Sequence, residues 1–306
     1  MKILVAGAGA TGGYFGGRLA QGGRDVTFLV REGRADVLRR RGLRITGLGK
    51  SDVITPTLVT AKELTEPFDV VVVTVKAAGL PAVIASLAPA VGPNTVIIPF
   101  LNGMAHMDAL GTAFGSRKVL GGVVRVSTTI NDDGDILQLH PIATWDIGEQ
   151  TGPPTERVNR ILAEINVPGF DASAIPDALA AMWHKWVFIV TAGVVTCLMR
   201  GPVGNIVAAP GGTDFVHAAL AEAAAVSTAA GYPVPDGETA MAVGLLTQPG
   251  STFTSSLYRD VTAGLPNEAE HLLGDFTARA RRLGVDTPLT DLTLMQLRVS
   301  ERGRLA

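Results

Sequence analysis

The sequence has almost no net charge and only one cysteine. Its 306 residues sum to a formal net charge of −2, which gives no electrostatic footprint for nucleic acid or for an anionic membrane. Cys197 alone cannot form an intrachain disulfide or a zinc cluster of thiolates. Because Cys197 lies in an apolar helical run, we interpret it as a buried structural thiol. We therefore expect no nucleic-acid partner and no metal.

Long hydrophobic runs are also missing. The longest uncharged apolar stretch after the first strand, residues 186–199, is shorter than the roughly 20 residues that a helix needs to cross a bilayer. Lys2 precedes an apolar run as in a signal peptide, but cleavage there would remove the first strand of the fold. The sequence therefore predicts a cytoplasmic protein without a membrane partner. Its length is sufficient for two domains with cores of their own.

A glycine-rich stretch at the start of the chain predicts a dinucleotide site. A short apolar strand, residues 3–6, runs into glycines in the G-x-G-x-x-G spacing, and an amphipathic helical segment follows. In this motif the glycines permit a tight turn, a close approach to a pyrophosphate and close packing of helix on strand. A glycine turn without a ligand is the alternative. The predicted cofactor contacts are Gly7, Ala8, Gly9, Ala10, Thr11 and Gly12.

The residues after the second strand bear on the choice of cofactor. The strand at residues 25–30 is followed by Arg31, Glu32 and Gly33, with Arg34 close by. An acid at this point binds the ribose hydroxyls of NAD, whereas the 2′-phosphate of NADP needs a cation. Because Arg31 comes first, we predict NADP. The adjacent Glu32 argues the other way, and a solvated loop arginine is the alternative.

Two later strands also end in polar residues. The β-branched run at residues 68–75 ends at Lys76, and the strand at residues 95–100 leads to Asn102. Since ligands of open α/β sheets lie outside the carboxyl ends of the strands, we predict that Lys76 and Asn102 both border the cofactor site. Each residue by itself would be an ordinary polar loop residue.

The pattern of periodicity changes near residue 176. Before it, residues 43–48 and 53–59 look extended, and a turn at residues 131–134 joins two strand-like runs at residues 119–129 and 135–140. This hairpin, with a short strand at residues 144–148, predicts an antiparallel extension of the parallel sheet. Beyond it, helical periodicity dominates and predicts helices over residues 177–198, 214–230, 238–246, 267–283 and 289–302. We predict an α/β protein with a Rossmann-type dinucleotide-binding domain over residues 1–175 and an all-helical domain over residues 176–306.

Three polar residues of the helical half could carry chemistry. Lys185 lies in an apolar helix, where burial can depress the pKa of a lysine and suit it to proton transfer. Ser256 and Glu268 follow later in the chain. Each has a structural alternative, because Lys185 could extend its amine to solvent, Ser256 could cap the next segment, and Glu268 could face a helix dipole.

The order of these motifs resembles that of the ketopantoate reductases (2-dehydropantoate 2-reductases). The resemblance covers almost the whole chain. It rests on the glycine-rich start, Arg31, Val75-Lys76, Asn102-Gly103, Gly121-Gly122, Asp146-Ile-Gly-Glu149, Trp183-His-Lys185, and Ser255 to Asp260 leading to Asn267-Glu268. It implies a Rossmann domain followed by a helical domain like that of the 6-phosphogluconate dehydrogenases. The resemblance is also compatible with a homodimer.

The resemblance implies an NADPH-dependent reduction of a 2-oxo acid, by default 2-dehydropantoate to pantoate. In that family the residue matching Arg31 binds the NADP 2′-phosphate, and those matching Lys76 and Asn102 lie near nicotinamide and substrate. The residue matching Lys185 is the general acid. The one matching Ser256 holds the substrate carboxylate, and the one matching Glu268 supports catalysis and cofactor binding.

The sequence departs from the family at two substrate-binding positions. Family members commonly carry asparagines four and eight residues after the catalytic lysine, where this chain has Ile189 and Gly193. A buried substrate hydroxyl without a partner costs about 1–3 kcal/mol. We therefore expect a more apolar substrate site, roomier at Gly193. A different and more apolar carbonyl substrate is the close alternative, and a non-catalytic NADP sensor is the distant one.

Overall fold

The computed structural model describes residues 1–305, which form two compact units. The first comprises residues 1–101 and 106–179, and the second comprises residues 102–105 and the chain from Ala180 onward. The first unit is α/β and the second is helical, as predicted from the change in periodicity. The limits of the two domains at residues 175 and 176 remain a prediction.

The first unit holds ten strands and most of the first five helices. Its strands are β1 (Lys2–Ala6), β2 (Asp25–Leu29), β3 (Leu43–Gly47), β4 (Lys50–Ile54), β5 (Thr57–Val59), β6 (Val70–Val73), β7 (Val96–Pro99), β8 (Gly121–Ile130), β9 (Ile136–Gly148) and β10 (Asp171–Ala174). The first five helices are α1 (Ala10–Gln21), α2 (Glu32–Arg41), α3 (Leu80–Ser86), α4 (Ala105–Phe114) and α5 (Glu156–Ile165).

Five strands form a parallel sheet in the order β5-β2-β1-β6-β7. The central strands β1 and β6 are hydrophobic on both faces, and all four valines of β6 are buried. This burial explains their continuous apolar sequence, because a parallel sheet is covered on both faces. Since β1 lies between β2 and β6, the segments that follow these three strands leave the sheet at the same edge.

The hairpin predicted as an extension of this sheet belongs to a second one. That sheet has the order β10-β9-β3-β4, with β8 paired to the other edge of β9. The two runs predicted around residue 142 are one strand, β9, of 13 residues. Its one edge pairs along β8, and its other edge pairs with β3 at one end and β10 at the other. Pro141 lies between those two pairings, where no ladder hydrogen bond needs its missing N–H.

One predicted extended segment is divided between the two sheets. Residues 53–59 contribute the end of β4 to the second sheet and all of β5 to the first. Pro56 separates the two strands. A proline has no N–H for a ladder and fixes its own φ, so it ends one pairing and lets the next begin elsewhere.

A carboxylate directly after β9 contacts the start of α5. Glu149 accepts hydrogen bonds from the Arg157 guanidinium at 2.7 and 2.5 Å and from the Thr155 hydroxyl at 2.6 Å. The Arg157 guanidinium holds the pKa of Glu149 below its ordinary value of 4.5. Glu149 closes a motif that supported the family resemblance, and its contacts here are structural.

The second unit is built around one long helix. Its helices are α6 (Ala178–Met199), α7 (Val203–Ala208), α8 (Gly212–Ala229), α9 (Asp236–Leu246), α10 (Ser256–Thr262), a π-helix (Glu270–Gly274), α11 (Asp275–Arg282) and α12 (Pro288–Leu305). Within residues 1–305, α6 alone is long and apolar enough to cross a membrane by length and composition, and 61% of its most apolar window is buried. Trp186 of α6 packs edge-on against Phe276, with ring centroids 4.9 Å apart.

Two helices of this unit have no counterpart among the predicted elements. The short helices α7 and α10 have six and seven residues, too few to show a helical period in the sequence. The helix predicted over residues 267–283 is a π-helix followed by α11. The π-helix has only five residues, about one turn, so its different hydrogen-bond spacing leaves no period that the sequence could show.

Replacing Glu149 by Gln tests the contact with Arg157. Because the pKa of Glu149 is depressed in the folded state, its contribution to stability is present above about pH 4.5 and is lost as pH falls. We expect E149Q to lower the free energy of unfolding by about 2 kcal/mol at pH 7. Urea denaturation at pH 7 and pH 4 should show the gap between wild type and variant narrowing at pH 4. The exposed Glu156→Gln is the matched control, and an equal loss at both pH values would contradict this assignment.

Candidate active site

The glycine-rich turn joins β1 to α1 under tight steric limits. Gly7 has a φ of +115° and its N–H donates to the Leu29 carbonyl of β2 at 3.0 Å. A Cβ on Gly12 would lie 2.0 Å from the Thr74 hydroxyl and 2.3 Å from the Gly7 carbonyl oxygen. Both glycines are therefore required by the turn itself, which agrees with the roles predicted for them.

Thr74 contacts the glycine turn, and no motif in the sequence predicted this contact. It follows β6, and its hydroxyl lies 3.0 Å from the Ala6 carbonyl oxygen and 2.9 Å from that of Gly7. The hydroxyl therefore ties the end of β6 to the turn after β1. The only signal in the sequence was a single polar residue inside the valine run of residues 70–75. Because threonine is β-branched like valine, Thr74 looked like part of the strand.

The turn fits the pyrophosphate of a dinucleotide. Gly9 is exposed and a Cβ built on it would meet nothing within 4 Å, so its backbone is open to a ligand. Gly9 is also the N-cap of α1, without a side-chain cap and without an acid in the first turn. The first N–H groups of a helix have no partner within it and carry partial positive charge. The residues predicted to hold the cofactor are thus arranged as an anion site.

The ends of the neighbouring strands place two cations beside this turn. Arg31 comes two residues after β2 as the N-cap of α2, and Lys76 comes three residues after β6. Both residues are exposed. Since β2 and β6 are the two neighbours of β1 in the parallel sheet, these residues leave it at the same edge as the glycine turn.

Glu32, the acidic residue that argued against NADP, is paired with a lysine. The Glu32 carboxylate forms an exposed ion pair with Lys62 at 2.9 Å. Arg34 is half-buried, and its Nη1 donates to the Gly134 carbonyl at 2.9 Å while its Nε lies 3.3 Å from the Ala8 carbonyl oxygen. Arg34 therefore ties α2 to the glycine turn and to the hairpin between β8 and β9.

In the second unit, α6 carries Lys185, Ile189 and Gly193 on one face, because they are four residues apart. Lys185 and Ile189 are half-buried and Gly193 is buried. A Cβ on Gly193 would lie 3.6 Å from Leu257 Cδ2 and 3.7 Å from Leu273 Cδ2. A methyl group at residue 193 would therefore make only ordinary van der Waals contacts with these two leucines. The expectation of a more apolar substrate site, roomier at Gly193, stays a prediction.

Ser256 does not cap α10. Its neighbour Ser255 is the N-cap and accepts a hydrogen bond from the Tyr258 N–H at 3.0 Å, and Ser255 also shares a hydrogen bond with Thr196 of α6 at 2.7 Å. Ser255 is buried, whereas Ser256 is exposed. The alternative that Ser256 caps the next helix is therefore excluded, because Ser255 is the cap.

Glu268 lies just ahead of the π-helix and is half-buried. The preceding Asn267 side chain accepts from the Ala269 N–H at 3.0 Å and starts this helical segment. Leu273, which reaches Gly193, is five residues after Glu268. The segments that carry Ser256 and Glu268 therefore both pack on α6 at Gly193.

Asn102 is half-buried and begins a short loop after β7 that is grouped with the second unit. Its backbone carbonyl contacts His271, a residue that sequence reasoning missed. Cys197 is confirmed as a buried thiol, and burial raises its pKa to about 12. Such a thiol is not ionised near neutral pH, which agrees with a structural role.

Two glycine variants distinguish residues needed for the stability of the turn from residues needed for cofactor binding. We expect Gly9→Ala to leave the melting temperature unchanged but to weaken NADPH binding at least tenfold, because its methyl has room in the protein and would lie where a pyrophosphate approaches. Gly12→Ala should lower both the melting temperature and the affinity for NADPH, since its Cβ would clash with the Gly7 carbonyl oxygen. Thermal denaturation and NADPH fluorescence titration measure the two effects. Wild-type affinity in G9A would contradict the assignment of this turn.

Two family models match the chain and together cover most of it. Residues 3–151 match the model described as "Ketopantoate reductase PanE/ApbA", and residues 177–301 match "Ketopantoate reductase PanE/ApbA C terminal". The two matches fall on the α/β half and the helical half of the chain, in the order expected from the sequence motifs.

Relatives are similar over their full length. The chain is 34% identical to an uncharacterized oxidoreductase of Bacillus subtilis, covering 98% of this chain and 99% of that protein. It is 26% identical to a 2-dehydropantoate 2-reductase of Mesorhizobium japonicum, with 99% of each covered. The structure of a putative ketopantoate reductase from Ralstonia solanacearum superposes with a TM-score of 0.87 at 27% identity, covering 99% of this chain and 98% of that one. The chain belongs to the ketopantoate reductase family of oxidoreductases, which use a nicotinamide cofactor.

Proposed function

We propose that this protein reduces a 2-oxo acid with NADPH, by default 2-dehydropantoate to pantoate. The observation that carries the proposal is the packing around α6. Lys185 shares a helix face with Gly193, and the segments that carry Ser256 and Glu268 both pack at Gly193 through Leu257 and Leu273. The hydroxyl and the carboxylate thus belong to two segments that pack on the helix carrying the proton donor.

The proposed chemistry uses these groups in separate roles. The nicotinamide supplies a hydride to the ketone carbon, and the carbonyl oxygen gains negative charge. The Lys185 ammonium stabilises that charge and donates its proton to the oxygen, which completes the alcohol. The Ser256 hydroxyl donates a hydrogen bond to the substrate carboxylate. Asn102 orients substrate and nicotinamide, and Glu268 supports the site and the cofactor.

The proposed cofactor is NADPH rather than NADH. Arg31 is exposed at the end of β2, where a 2′-phosphate needs a cation. The competing acid Glu32 already has Lys62 as a partner. Lys76, exposed after β6, supplies a second cation at the same edge of the sheet.

A second candidate substrate is a 2-oxo acid with an apolar side chain. The specific observation is the pair of leucines that cover Gly193, together with Ile189 one turn earlier on α6. These side chains offer no hydrogen bond to a substrate hydroxyl, and leaving that hydroxyl unpaired costs about 1–3 kcal/mol, or about one to two orders of magnitude in selectivity. An aliphatic side chain has no such cost.

The proposed assembly is a homodimer of the helical unit. Leu292, Met295 and Val299 of α12 follow the spacing of one helix face and are 45%, 56% and 65% exposed. A self-complementary apolar stripe suits a two-fold interface, in which the same patch is used by both copies. Sedimentation equilibrium of the purified chain tests this arrangement.

Lys185→Ala tests the proposed acid. We expect kcat to fall by about 10²- to 10⁴-fold, the usual contribution of a general acid, while NADPH affinity is preserved. His184→Gln is the matched control, because the neighbouring His184 ring contacts Glu238 at 3.3 Å and has no proposed catalytic role. Stopped-flow NADPH oxidation gives the rates. Unchanged turnover in K185A would remove Lys185 from the mechanism.

A panel of 2-oxo acids separates the two substrate candidates. Rates of cofactor oxidation would be compared for 2-dehydropantoate, a branched aliphatic 2-oxo acid and an aromatic one, each with NADPH and with NADH. The default predicts the highest kcat/KM for 2-dehydropantoate, whereas the second candidate predicts at least tenfold preference for an apolar acid. Turnover with none of them would contradict both, and equal rates with NADH would contradict the role of Arg31.

A further inference from the structure

The loop of residues 102–105 is tied to the π-helix by one hydrogen bond. His271 Nε2 lies 2.6 Å from the backbone carbonyl oxygen of Asn102. A carbonyl oxygen only accepts, so Nε2 carries the hydrogen and donates it. The two residues are 169 positions apart in the chain, and no motif in the sequence links them.

The backbone next to this bond is closely packed. Gly103 has a φ of +80°, and a Cβ built on it would lie 3.5 Å from His271 Nε2 and 3.6 Å from Trp186 Cε2. The Trp186 indole N–H donates to the buried Leu272 carbonyl at 3.1 Å. The loop therefore rests on two rings whose own positions are fixed, one by α6 and one by the π-helix.

These contacts connect the loop to residues of the proposed site. Trp186 is adjacent to Lys185 in α6, and His271 is three residues after Glu268. His271 lies inside the π-helix, a rare helical form that is frequent at functional sites. The backbone of Asn102 is thus held by the same two segments that carry the proposed acid and the proposed carboxylate.

We propose that His271 is a positioning residue for Asn102. By holding the Asn102 carbonyl, its Nε2–H keeps the Asn102 amide in register with Glu268 and Lys185, so that the amide meets nicotinamide and substrate in one orientation. This inference rests on the proposed function, which assigns Asn102 to the site. A misplacement of about 1 Å in such a group can lower the rate of the chemical step about 100-fold.

A double-mutant cycle tests whether His271 acts through Asn102. We expect His271→Leu to lower kcat/KM roughly 10- to 100-fold. His271→Gln should restore at least half of the lost activity, because a glutamine amide N–H can reach a similar position. In the background of Asn102→Ala, H271L should cost less than threefold further, since the group that it positions is gone. Additive losses would overturn the proposal, and so would an H271Q variant as impaired as H271L.

A control variant and a second measurement distinguish a wrong role for His271 from a wrong assignment of the substrate. Glu270→Gln alters the residue just before His271 in the same π-helix, an exposed partner of Arg298, and should keep wild-type rates. The same cycle measured on the NADPH dissociation constant needs no turnover, so it tests His271 even where the substrate is misassigned. Non-additive losses of affinity support the link to Asn102, and additive losses overturn it. Full activity and affinity in N102A would contradict the role of Asn102 and that of His271 together.

Discussion

The fold of the first unit depends on the close approach of α1 to the end of β6. At Gly12 the helix comes so near that a single methyl would overlap the Thr74 hydroxyl and the Gly7 carbonyl. The Thr74 hydroxyl in turn lies within hydrogen-bond distance of two carbonyl oxygens, that of Ala6 at the end of β1 and that of Gly7 in the turn. Because the turn is held this closely, the N-terminus of α1 stands open at Gly9, and the geometry of the anion site follows from packing rather than from any charged side chain.

The second unit meets a different constraint, because it must keep polar groups on a helix that also forms its core. Helix α6 is mostly buried, and Trp186 on it is fully so. Lys185 and Ile189 lie at its half-buried positions, and leucines from two other segments close over Gly193. The packing of this unit therefore determines which side chains lie next to Lys185, Ile189 and Gly193. A substitution at residue 193 changes the core of this unit as well as the proposed substrate site.

Much of the fold could be predicted from periodicity alone. The valine run of β6 and the glycine spacing after β1 are strong local signals, and the α/β half and the helical half were both recognised. The second sheet was not, because its strands β3, β9 and β10 pair across long separations that no local pattern encodes. Pro56 marked the break between β4 and β5, but a proline does not say which sheet each strand will join.

The candidate site divides in the same way. Strand ends and glycine spacing are local, so they are enough to propose Gly7, Gly9, Gly12, Arg31 and Lys76 as site residues. They do not indicate Thr74 or His271, whose contacts are made with carbonyl groups distant in sequence. Ser255 and Ser256 look alike in sequence, and only the structure distinguishes the buried cap from the exposed hydroxyl.

The sequence by itself determined the family, the order of the two halves, and the residue types available for binding a nicotinamide cofactor. Those features depend on local spacing and composition, which the chain carries before it folds. The tertiary structure decided what surrounds Gly193, which serine caps α10, and what holds the Asn102 loop. Each of these is a contact between segments far apart in the chain. Such contacts are set by packing, because the neighbours of a residue decide whether it fills the core, caps a helix or binds a ligand.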